Sequence, residues 1–312
     1  MATSNNTINS SFTGKAASGY VSAALLSGKT LASGAIDIRD NIQYKEVIQV
    51  INSDNNLLKP GTCDFTSTGT LTTTEVVLEP KEIQVNLEIC SRNFLSRWES
   101  LQMKGVKSGL PKTFGEYILE DVVKKTASDV ESAIWTGTVT GDIPFDGFET
   151  LAAADASVID VAKVAITAVN VTTELNRVVS AIPQAVYGDE SVSIMVSTSI
   201  YQSYISSLGG FGATGGSNAT EGIDGKRQMW YNGSQPLFFL GIPVVHCPGL
   251  TSTDMFAARK EDLVFGSSLY SELNQATILD MSTIDGSMNS RVILRGSAGV
   301  AIVQPSQVVF YS

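Results

Sequence analysis

His246, the only histidine, and the adjacent Cys247 are the residue types best suited to act as a base, a nucleophile or a metal ligand. Adjacent residues of a strand point to opposite faces, so we expect the two side chains not to share a metal ion. A single histidine also excludes sites built on several histidines, and a Ser-His-Asp triad centred anywhere else. We interpret His246 as a partly buried residue at the end of a strand.

Two carboxylate pairs, Asp189-Glu190 and Glu261-Asp262, are the next candidates for acid–base chemistry. Their members are neighbours in sequence, which is typical of turns and carries no acid–base signature. Together with the histidine argument, this predicts that the chain is not an enzyme. We predict no catalytic residue, no cofactor-binding residue, no cofactor and no metal ligand.

Two glycine-containing strings match parts of phosphate-binding motifs. Residues 210–215 read GFGATG, but the pattern before them is helical and a polar loop follows, whereas a dinucleotide fingerprint lies between a strand and a helix. Gly28-Lys29-Thr30 resembles the end of a phosphate-binding loop, but Ala23 stands where that motif needs glycine. We expect a mobile loop at the first string and a turn at the second.

Composition favours large contact surfaces over a highly solvated monomer. The chain has 312 residues, of which 43% are hydrophobic and 17% are charged. This is enough to bury a large core that begins to split into two. The start of the sequence is polar and lacks a signal peptide, and no apolar run is long enough to span a membrane. The three cysteines, Cys63, Cys90 and Cys247, lie far apart and are typical of a reducing compartment.

The formal net charge of −10 argues against tight binding to nucleic acid, which requires Lys and Arg to neutralise phosphates. The charge is uneven along the chain. Residues 1–60 have five basic and four acidic residues, whereas residues 141–220 have two basic and eight acidic residues. A protein that surrounds a nucleic acid without gripping it would have this balance, and so would any acidic soluble protein.

A long β-ribbon is predicted from Tyr44 onwards. Its outgoing arm, Tyr44 to Ile51, is rich in β-branched residues, and residues 63–75 between the arms are mostly Thr, Ser and Gly. We assign the return arm to residues 82–89, where Ile83, Val85, Leu87 and Ile89 alternate with polar residues. A two-stranded hairpin is marginally stable alone and its edges invite pairing, so we expect it to contact neighbouring subunits. The alternative is a surface hairpin folded back on its own domain.

A long helix is predicted after the ribbon. Thr113 and Glu116 form a capping box, and Gly137 is placed to end the helix. An apolar stripe repeats every four residues through Phe114, Ile118, Val122, Thr126, Val130 and Ile134. We expect a spine of roughly 36 Å on which sheets lie.

Alternating strands and helices are predicted in the second half of the chain. Residues 158–169 are largely β-branched, residues 172–182 have a helical pattern, and residues 191–196 are a strand. Ser197 is predicted to cap a helix that ends at Leu208, with Ile200 and Tyr204 on one face. Strands follow from Leu237 to the end of the sequence, broken at Asp285-Gly286.

This order of elements resembles the major capsid proteins of tailed bacteriophages, which have the Hong Kong 97-type fold. Residues 113–137 (TFGEYILEDVVKKTASDVESAIWTG) are similar to the spine helix of that family. Residues 193–211 (SIMVSTSIYQSYISSLGGF) resemble the strand and short helix of its axial domain. Residues 238–248 (FFLGIPVVHCP), 255–269 (MFAARKEDLVFGSSL) and 289–311 (NSRVILRGSAGVAIVQPSQVVFY) are similar to its later strands.

The resemblance implies an α+β fold with an N-terminal arm, an extended β-hairpin loop, a long spine helix with a peripheral β-sheet, and an α/β axial domain. We place these parts in five segments. They are an arm at 1–43, the extended loop and its base strands at 44–98, a peripheral domain with the spine helix at 99–149, an axial domain at 150–265, and strands returning to the peripheral domain at 266–312.

The resemblance further implies a structural major capsid protein. Pentamers and hexamers would self-assemble into the icosahedral shell of a virion, enclosing double-stranded DNA without sequence-specific binding, in the bacterial host cytoplasm. The extended hairpin and the arm would each contact a neighbouring subunit, and the loop at 209–222 would lie near the capsomer axis. Candidate subunit-interface residues are Asp54, Lys59, Phe65, Thr70, Leu71, Glu75, Phe211, Arg291 and Arg295.

The partners implied by the family are further copies of the chain, a portal, decoration proteins and a scaffolding protein, with no membrane. The arm of about 40 residues is too short for a fused scaffolding segment, so we expect a separate one. We predict no covalent cross-link between subunits, because no partner for Lys59 can be named. The alternatives are an encapsulin-type nanocompartment, which the long polar arm disfavours, a β-rich adhesion protein, and a two-domain enzyme.

Overall fold

A computed structural model describes residues 10–13, 28–42, 44–53, 58–61, 63, 69–90, 114–140, 143–208, 237–268, 275–281 and 284–312. Helices within these ranges are α1 (Lys29–Ala32), α2 (Phe114–Thr136), α3 (Phe148–Ala154), α4 (Val171–Ala181) and α5 (Thr198–Leu208). The first eight strands are β1 (Ser10–Thr13), β2 (Asp37–Arg39), β3 (Glu46–Ser53), β4 (Leu71–Leu78), β5 (Lys81–Cys90), β6 (Ile159–Val161), β7 (Val192–Val196) and β8 (Leu237–Phe239). The others are β9 (Ile242–His246), β10 (Met255–Arg259), β11 (Leu263–Ser267), β12 (Gln275–Asp280), β13 (Asn289–Ile302) and β14 (Val309–Tyr311). The fold is α+β, as the sequence predicts.

The peripheral sheet is organised around the 14-residue strand β13. Its strand order is β1-β12-β13-β11-β2, with β5 also paired to β13. Ala298 pairs with both Lys81 of β5 and Ser267 of β11, so these two strands lie at opposite edges of β13. Along β13, Val292 and Leu294 are buried whereas Arg291 and Arg295 are exposed, so the strand has one core face and one open face.

The axial sheet has the strand order β6-β14-β10-β7-β9-β8. All five residues of β7 are buried, which is typical of a strand covered on both faces. On one face α4 and α5 pack through Leu175, Val178 and Ile200 against Ile194 and neighbouring residues. The other face packs in a second core that also contains the end of α2.

Helix α2 links the two sheets, and its observed bounds confirm the predicted spine. Its 23 residues span roughly 35 Å. Val122, Thr126, Val130 and Ile134 are buried, as the four-residue repeat predicts. Trp135 packs against Phe148 and Phe256 with ring centroids 5.4 and 5.3 Å away. The predicted capping box, Thr113 with Glu116, falls outside the described side chains.

The prediction for the return arm of the ribbon is wrong. Strand β3 pairs with β4, from Glu46 opposite Leu78 to Ser53 opposite Leu71, whereas β5 pairs with β13 over its whole length. Pro80, which has no backbone N–H for a ladder, separates β4 from β5. Alternation correctly identified β5 as a strand but carries no information about its partner.

The last third of the predicted arm is packed into the core of its own chain. Leu31, Ala35 and Ile36 are buried in the core beneath α2, and β2 pairs in parallel with β11. Ile42 is buried in the cluster at the foot of the ribbon. Residues 1–9 and 14–27 lie outside the described part of the chain.

Smaller differences concern local elements. The β-branched run 158–169 forms a strand only at Ile159–Val161. Ser197 precedes α5 but its hydroxyl donates to the carbonyl of Ser252 at 2.8 Å, so it does not cap the helix with its side chain. Strand β14 belongs to the axial sheet, so the segment 266–312 does not return wholly to the peripheral sheet. The five-segment division as a whole stays a prediction.

Candidate assembly surface

The hairpin formed by β3 and β4 is anchored at its foot by apolar packing. Leu78 is fully buried with Ile42, Val264 and Ala301, and Ile48 and Val76 pack against this cluster. Gly266 makes the close approach possible, because a Cβ there would lie 2.8 Å from Cδ2 of Leu78. The foot of the hairpin is therefore part of the core of its own chain.

Ion pairs surround this anchor and fix the direction in which the hairpin leaves it. Arg39 pairs with Asp37 at 2.8 Å and with Glu46 of β3 at 3.0 Å. The carboxylate of Glu79 forms ion pairs with Lys81 at 2.6 Å and with Lys45 at 3.1 Å. Because both cations donate hydrogen bonds to it, the pKa of Glu79 is below its ordinary value. Exposed pairs of this kind contribute little stability, so we assign them an orienting role.

The two faces of the hairpin differ in what covers them. The inner face, with Ile48, Val50, Val76 and Leu78, is buried or half-buried. The outer face contains Val47, Ile51, Leu71 and Val77, whose exposed fractions lie between 49% and 68%. Val47 is directly opposite Val77 on this face. The next cross-strand pair on the same face is Gln49 with Glu75, in which Gln49 Nε2 donates to Glu75 Oε1 at 3.1 Å. Four large apolar side chains on one exposed ribbon face are typical of an interaction surface.

A second open surface is formed by β5 and β13. Arg291, Ile293 and Arg295 share the exposed face of β13, next to Asn86 and Glu88 of β5. Arg291 pairs with Glu88 at 3.2 Å, and Asn289 Nδ2 donates to the same carboxylate at 2.6 Å. The two strands line a shallow groove of about 320 Å³, and the side chains of Arg291 and Arg295 lie along it.

The structure places the predicted interface residues in two groups. Leu71 and Glu75 lie on the outer face of the hairpin, and Lys59 and Thr70 lie between its strands in sequence. Arg291 and Arg295 lie together on the peripheral sheet. Asp54, Phe65 and Phe211 are outside the described residues. Sequence reasoning missed Val47, Ile51 and Val77, although the spacing of Val47 and Ile51 around Gln49 shows the required period of two.

The residues singled out for chemistry have structural roles in the described part of the chain. His246 ends β9, as predicted, with Nε2 at 2.9 Å from Thr198 Oγ1 and its ring stacked on Tyr201 at 5.0 Å. Burial lowers the pKa of His246, and nearby Lys29 lowers it further. Cys247 is buried, and burial raises the pKa of its thiol. Residues 210–215 fall outside the described ranges.

The prediction of a turn at Gly28-Lys29-Thr30 is wrong, because this string forms the start of α1 and packs on the spine helix. The Thr30 backbone N–H donates to both Glu131 carboxylate oxygens at 3.2 Å, and its hydroxyl donates to Oε1. Trp135 Nε1 donates to the same hydroxyl at 3.0 Å. Within the described ranges, no three His, Cys, Asp or Glu side chains are grouped as metal ligands would be.

Of the helices that the structure describes, none combines the length and apolar character needed to cross a membrane. No protein-family profile matches the sequence. A search of curated proteins also finds no match.

Solved structures do match this chain in fold. The capsid of a native GTA particle, computed with C5 symmetry, superposes with a TM-score of 0.58 at 10% identity, covering 100% of this chain and 94% of that one. The capsid asymmetric unit of cyanophage A-1(L) gives 0.55 at 12% identity, with coverages of 91% and 92%. A virus-like particle from Pyrococcus furiosus gives 0.51 at 8% identity, with coverages of 96% and 99%. The anchored hairpin, the spine helix and the two sheets, matched over nearly the whole chain, thus give this protein the Hong Kong 97-type fold of tailed-phage major capsid proteins.

Proposed function

We propose that this chain is the major capsid protein of a tailed bacteriophage, a structural protein rather than an enzyme. Many copies tile as pentamers and hexamers into an icosahedral shell that encloses double-stranded DNA. The single observation that carries this proposal is the hairpin, whose foot is built into the core of its own chain while its outer face is apolar and exposed.

The outer part of the hairpin adds little to the stability of a single chain. A two-stranded hairpin is marginal in water, and its exposed strand edges and apolar face are a liability unless another chain covers them. Each of the four outer side chains is only about half to two thirds exposed, so burying the remainder on a neighbour would contribute on the order of 1–2 kcal/mol per side chain before the costs of association. A shell supplies one neighbour for every hairpin.

The open face of the peripheral sheet is the surface we propose to receive the hairpin of a neighbouring copy. Ile293 offers an apolar centre between Arg291 and Arg295, and the hairpin presents Glu75 among its apolar side chains. Opposite charges at the edge of such a contact favour one register over others. The predicted interface residues Leu71, Glu75, Arg291 and Arg295 then meet in pairs between subunits.

Structures of similar fold support the proposed shell function. They include the capsid of a GTA particle and the capsid asymmetric unit of a cyanophage. We propose that this chain is located in the virion shell and assembles in the bacterial cytoplasm with a separate scaffolding protein, a portal and decoration proteins.

A protein nanocompartment of the encapsulin type is the second candidate, favoured by the likeness to the Pyrococcus furiosus virus-like particle. Both candidates form closed shells, and they differ in the contents. The phage reading expects genomic DNA inside particles from infected cells, whereas the compartment reading expects protein cargo.

Electron microscopy of the purified chain, alone and with its neighbouring gene products, tests the shell directly. We expect closed, uniform icosahedral particles or discrete rings of five and six. A monodisperse monomer under all of these conditions contradicts both shell proposals. Nuclease-protected DNA in particles isolated from the native source then separates the phage capsid from the compartment.

A further inference from the structure

Among the described residues of the axial part, the large apolar side chains that are exposed lie at two opposite edges of its sheet. At the β8 edge these residues are Tyr187, Phe238 and Leu240, and beside β6 they are Val164 and Val169. All five have exposed fractions between 49% and 59%. Because five inter-strand spacings separate β6 from β8, the two edges are roughly 24 Å apart and cannot meet within one chain.

The β8 edge ends in a tight turn that presents a leucine to solvent. Leu240 has φ of 49° and Gly241 has φ of 85°, so both central residues of the β8–β9 turn are in the left-handed region. This conformation is disfavoured for leucine and suits glycine or asparagine. Tyr204 holds the strand in place by donating its hydroxyl to the carbonyl of Phe238 at 2.8 Å. An exposed apolar side chain held in a disfavoured backbone conformation is a candidate for contact with another chain.

The segment after β6, residues 162–170, is irregular but held in one conformation. The Val164 N–H donates to the Tyr311 hydroxyl at 2.7 Å, and that hydroxyl contacts buried Glu174 at 2.8 Å. Asn170 Nδ2 donates to the carbonyl of Ala165 at 2.8 Å. Val164 and Val169 are therefore presented on a preorganised surface, which lowers the entropic cost of a contact.

Charges favour contact between unlike edges. Asp189 and Glu190 are exposed and line a groove with Leu240 at the β8 edge. Beside β6 the cationic groups of Lys163 and Arg177 are 45% and 40% exposed, while their partners are buried. Those buried partners are Asp254 and Glu174, and the exposed Asp160 accepts a hydrogen bond from the Ser312 hydroxyl.

Two copies meeting through their β8 edges would place Asp189 and Glu190 of each chain against the same residues of the other. Like charges brought together in this way oppose the contact. A contact between a β8 edge and a β6 edge instead brings the acidic pair towards exposed cations. Because each copy has one edge of each kind, such head-to-tail contacts can repeat from copy to copy, and they close a ring when the rotation between neighbours is a whole fraction of a turn.

We propose that the ring of each capsomer closes by a head-to-tail contact in which the β8–β9 turn of one copy packs on residues 162–170 of the next. Leu240, Phe238 and Tyr187 bury Val164 and Val169 of the neighbouring copy. This inference rests on the proposed shell function and assigns the lateral contact surface of the axial domain, which is separate from the hairpin.

Leu240→Asn tests the contact without threatening the fold. Asparagine tolerates the left-handed turn better than leucine, so the variant monomer should be at least as stable as the natural chain. It removes the apolar tip, so the concentration needed for half-maximal ring or shell formation should rise about tenfold. Val139→Asn, at an equally exposed valine away from both edges, is the matched control and should assemble normally. Normal assembly of the Leu240→Asn variant overturns the proposal.

Cross-linking determines the direction of the contact. In a Cys63→Ser, Cys90→Ser background, a chain with both Leu240→Cys and Val164→Cys is treated with a short bis-maleimide; Cys247 is buried and stays unreactive. We expect a ladder on denaturing gels that ends at five and six copies, and only uncross-linked chain from either single-cysteine variant. Dimers from Leu240→Cys alone indicate a head-to-head contact and overturn the proposal. Shells without any ladder overturn this contact but leave the shell function standing, whereas the lack of any assembly of the parent chain counts against the function itself.

Discussion

At the residue scale, Glu131 joins three parts of the chain that are distant in sequence. Its carboxylate accepts hydrogen bonds from Thr30, 101 residues earlier, and from the backbone of Gly249. Gly249 has no room for a side chain, because a Cβ there would lie 2.1 Å from the carbonyl oxygen of Glu131. The buried carboxylate thus fixes α1 and the loop after β9 on the spine helix.

Thr30→Val should destabilise the folded chain. The substitution keeps the β-branched shape but removes the hydroxyl that donates to Glu131 and accepts from Trp135, leaving buried polar groups without partners. We expect a loss of about 1–3 kcal/mol in the free energy of unfolding, measured by urea denaturation. Thr136→Val, at an exposed position of the spine helix α2, is the control and should change the free energy by less than about 0.5 kcal/mol. Equal effects of the two substitutions would refute this role for Thr30.

The pH dependence of stability should also report on Glu131. Burial raises the pKa of its carboxyl group above the ordinary value, although the hydrogen bonds from Thr30 and Gly249 act in the opposite direction. A carboxyl with a raised pKa binds its proton more tightly in the folded than in the unfolded chain. Its contribution to stability is therefore full below the unfolded pKa and is lost as pH rises through the folded pKa.

Glu131→Gln should remove this pH-dependent contribution. The difference in unfolding free energy between the natural chain and the variant should shift in favour of the variant as pH rises from the acid range towards neutrality. Urea denaturation at a series of pH values measures the difference. A difference that is constant with pH, or that shifts towards the natural chain, contradicts the assignment.

At the scale of elements, the hairpin combines a fixed foot with a free face. The same two strands contribute Leu78 to the core and Ile51 to the exposed surface, because successive residues of a strand alternate between faces. A change on the outer face should therefore affect assembly and leave the folding of one chain intact.

Ile51→Asp should prevent shell formation. The exposed fraction of Ile51 is 65%, so a carboxylate there stays solvated in the monomer. When a neighbour covers the hairpin, the carboxylate must lose its hydration and the apolar contact of Ile51 is lost as well. Ile284, which is 66% exposed in the turn before β13, provides a closely matched control as Ile284→Asp. We expect monomers of unchanged melting temperature from both variants, and shells by electron microscopy only from the Ile284 variant. Shells from Ile51→Asp would argue against a covered hairpin.

At the scale of the whole molecule, the net charge of −10 is consistent with the proposal that the shell encloses DNA without binding it tightly. Affinity for duplex DNA depends on the release of counterions by Lys and Arg, and this chain has 21 basic against 31 acidic residues. Rings or monomers released from dissociated shells should not retard duplex DNA in gel-shift experiments at physiological salt. Sequence-independent binding with a Kd of about 1 μM or tighter would contradict this expectation and would indicate a shell that binds the DNA it encloses.

Local patterns of the sequence were sufficient for several elements and for the fold. The four-residue apolar repeat located α2 within one residue at its start, and the run from Val192 to Leu208 gave β7 and α5. Both patterns reflect neighbours on one face of one element, and that relation is fixed by helical or strand geometry alone. The order of these elements also sufficed for the resemblance to the capsid fold.

Tertiary structure alone decided which elements meet. Strand pairing uses backbone groups that every residue except proline has. Alternation in β5 could therefore not reveal that its partner is β13, about 200 residues later, rather than β3. The local sequence also does not show that Leu31 and Ile36, which lie in a polar segment, are buried in the core. Nor does it show that Val164 and Leu240 lie at opposite edges of the axial sheet. A sequence thus records which face of an element is apolar, whereas the folding of the chain decides whether that face is covered within one copy or stays exposed.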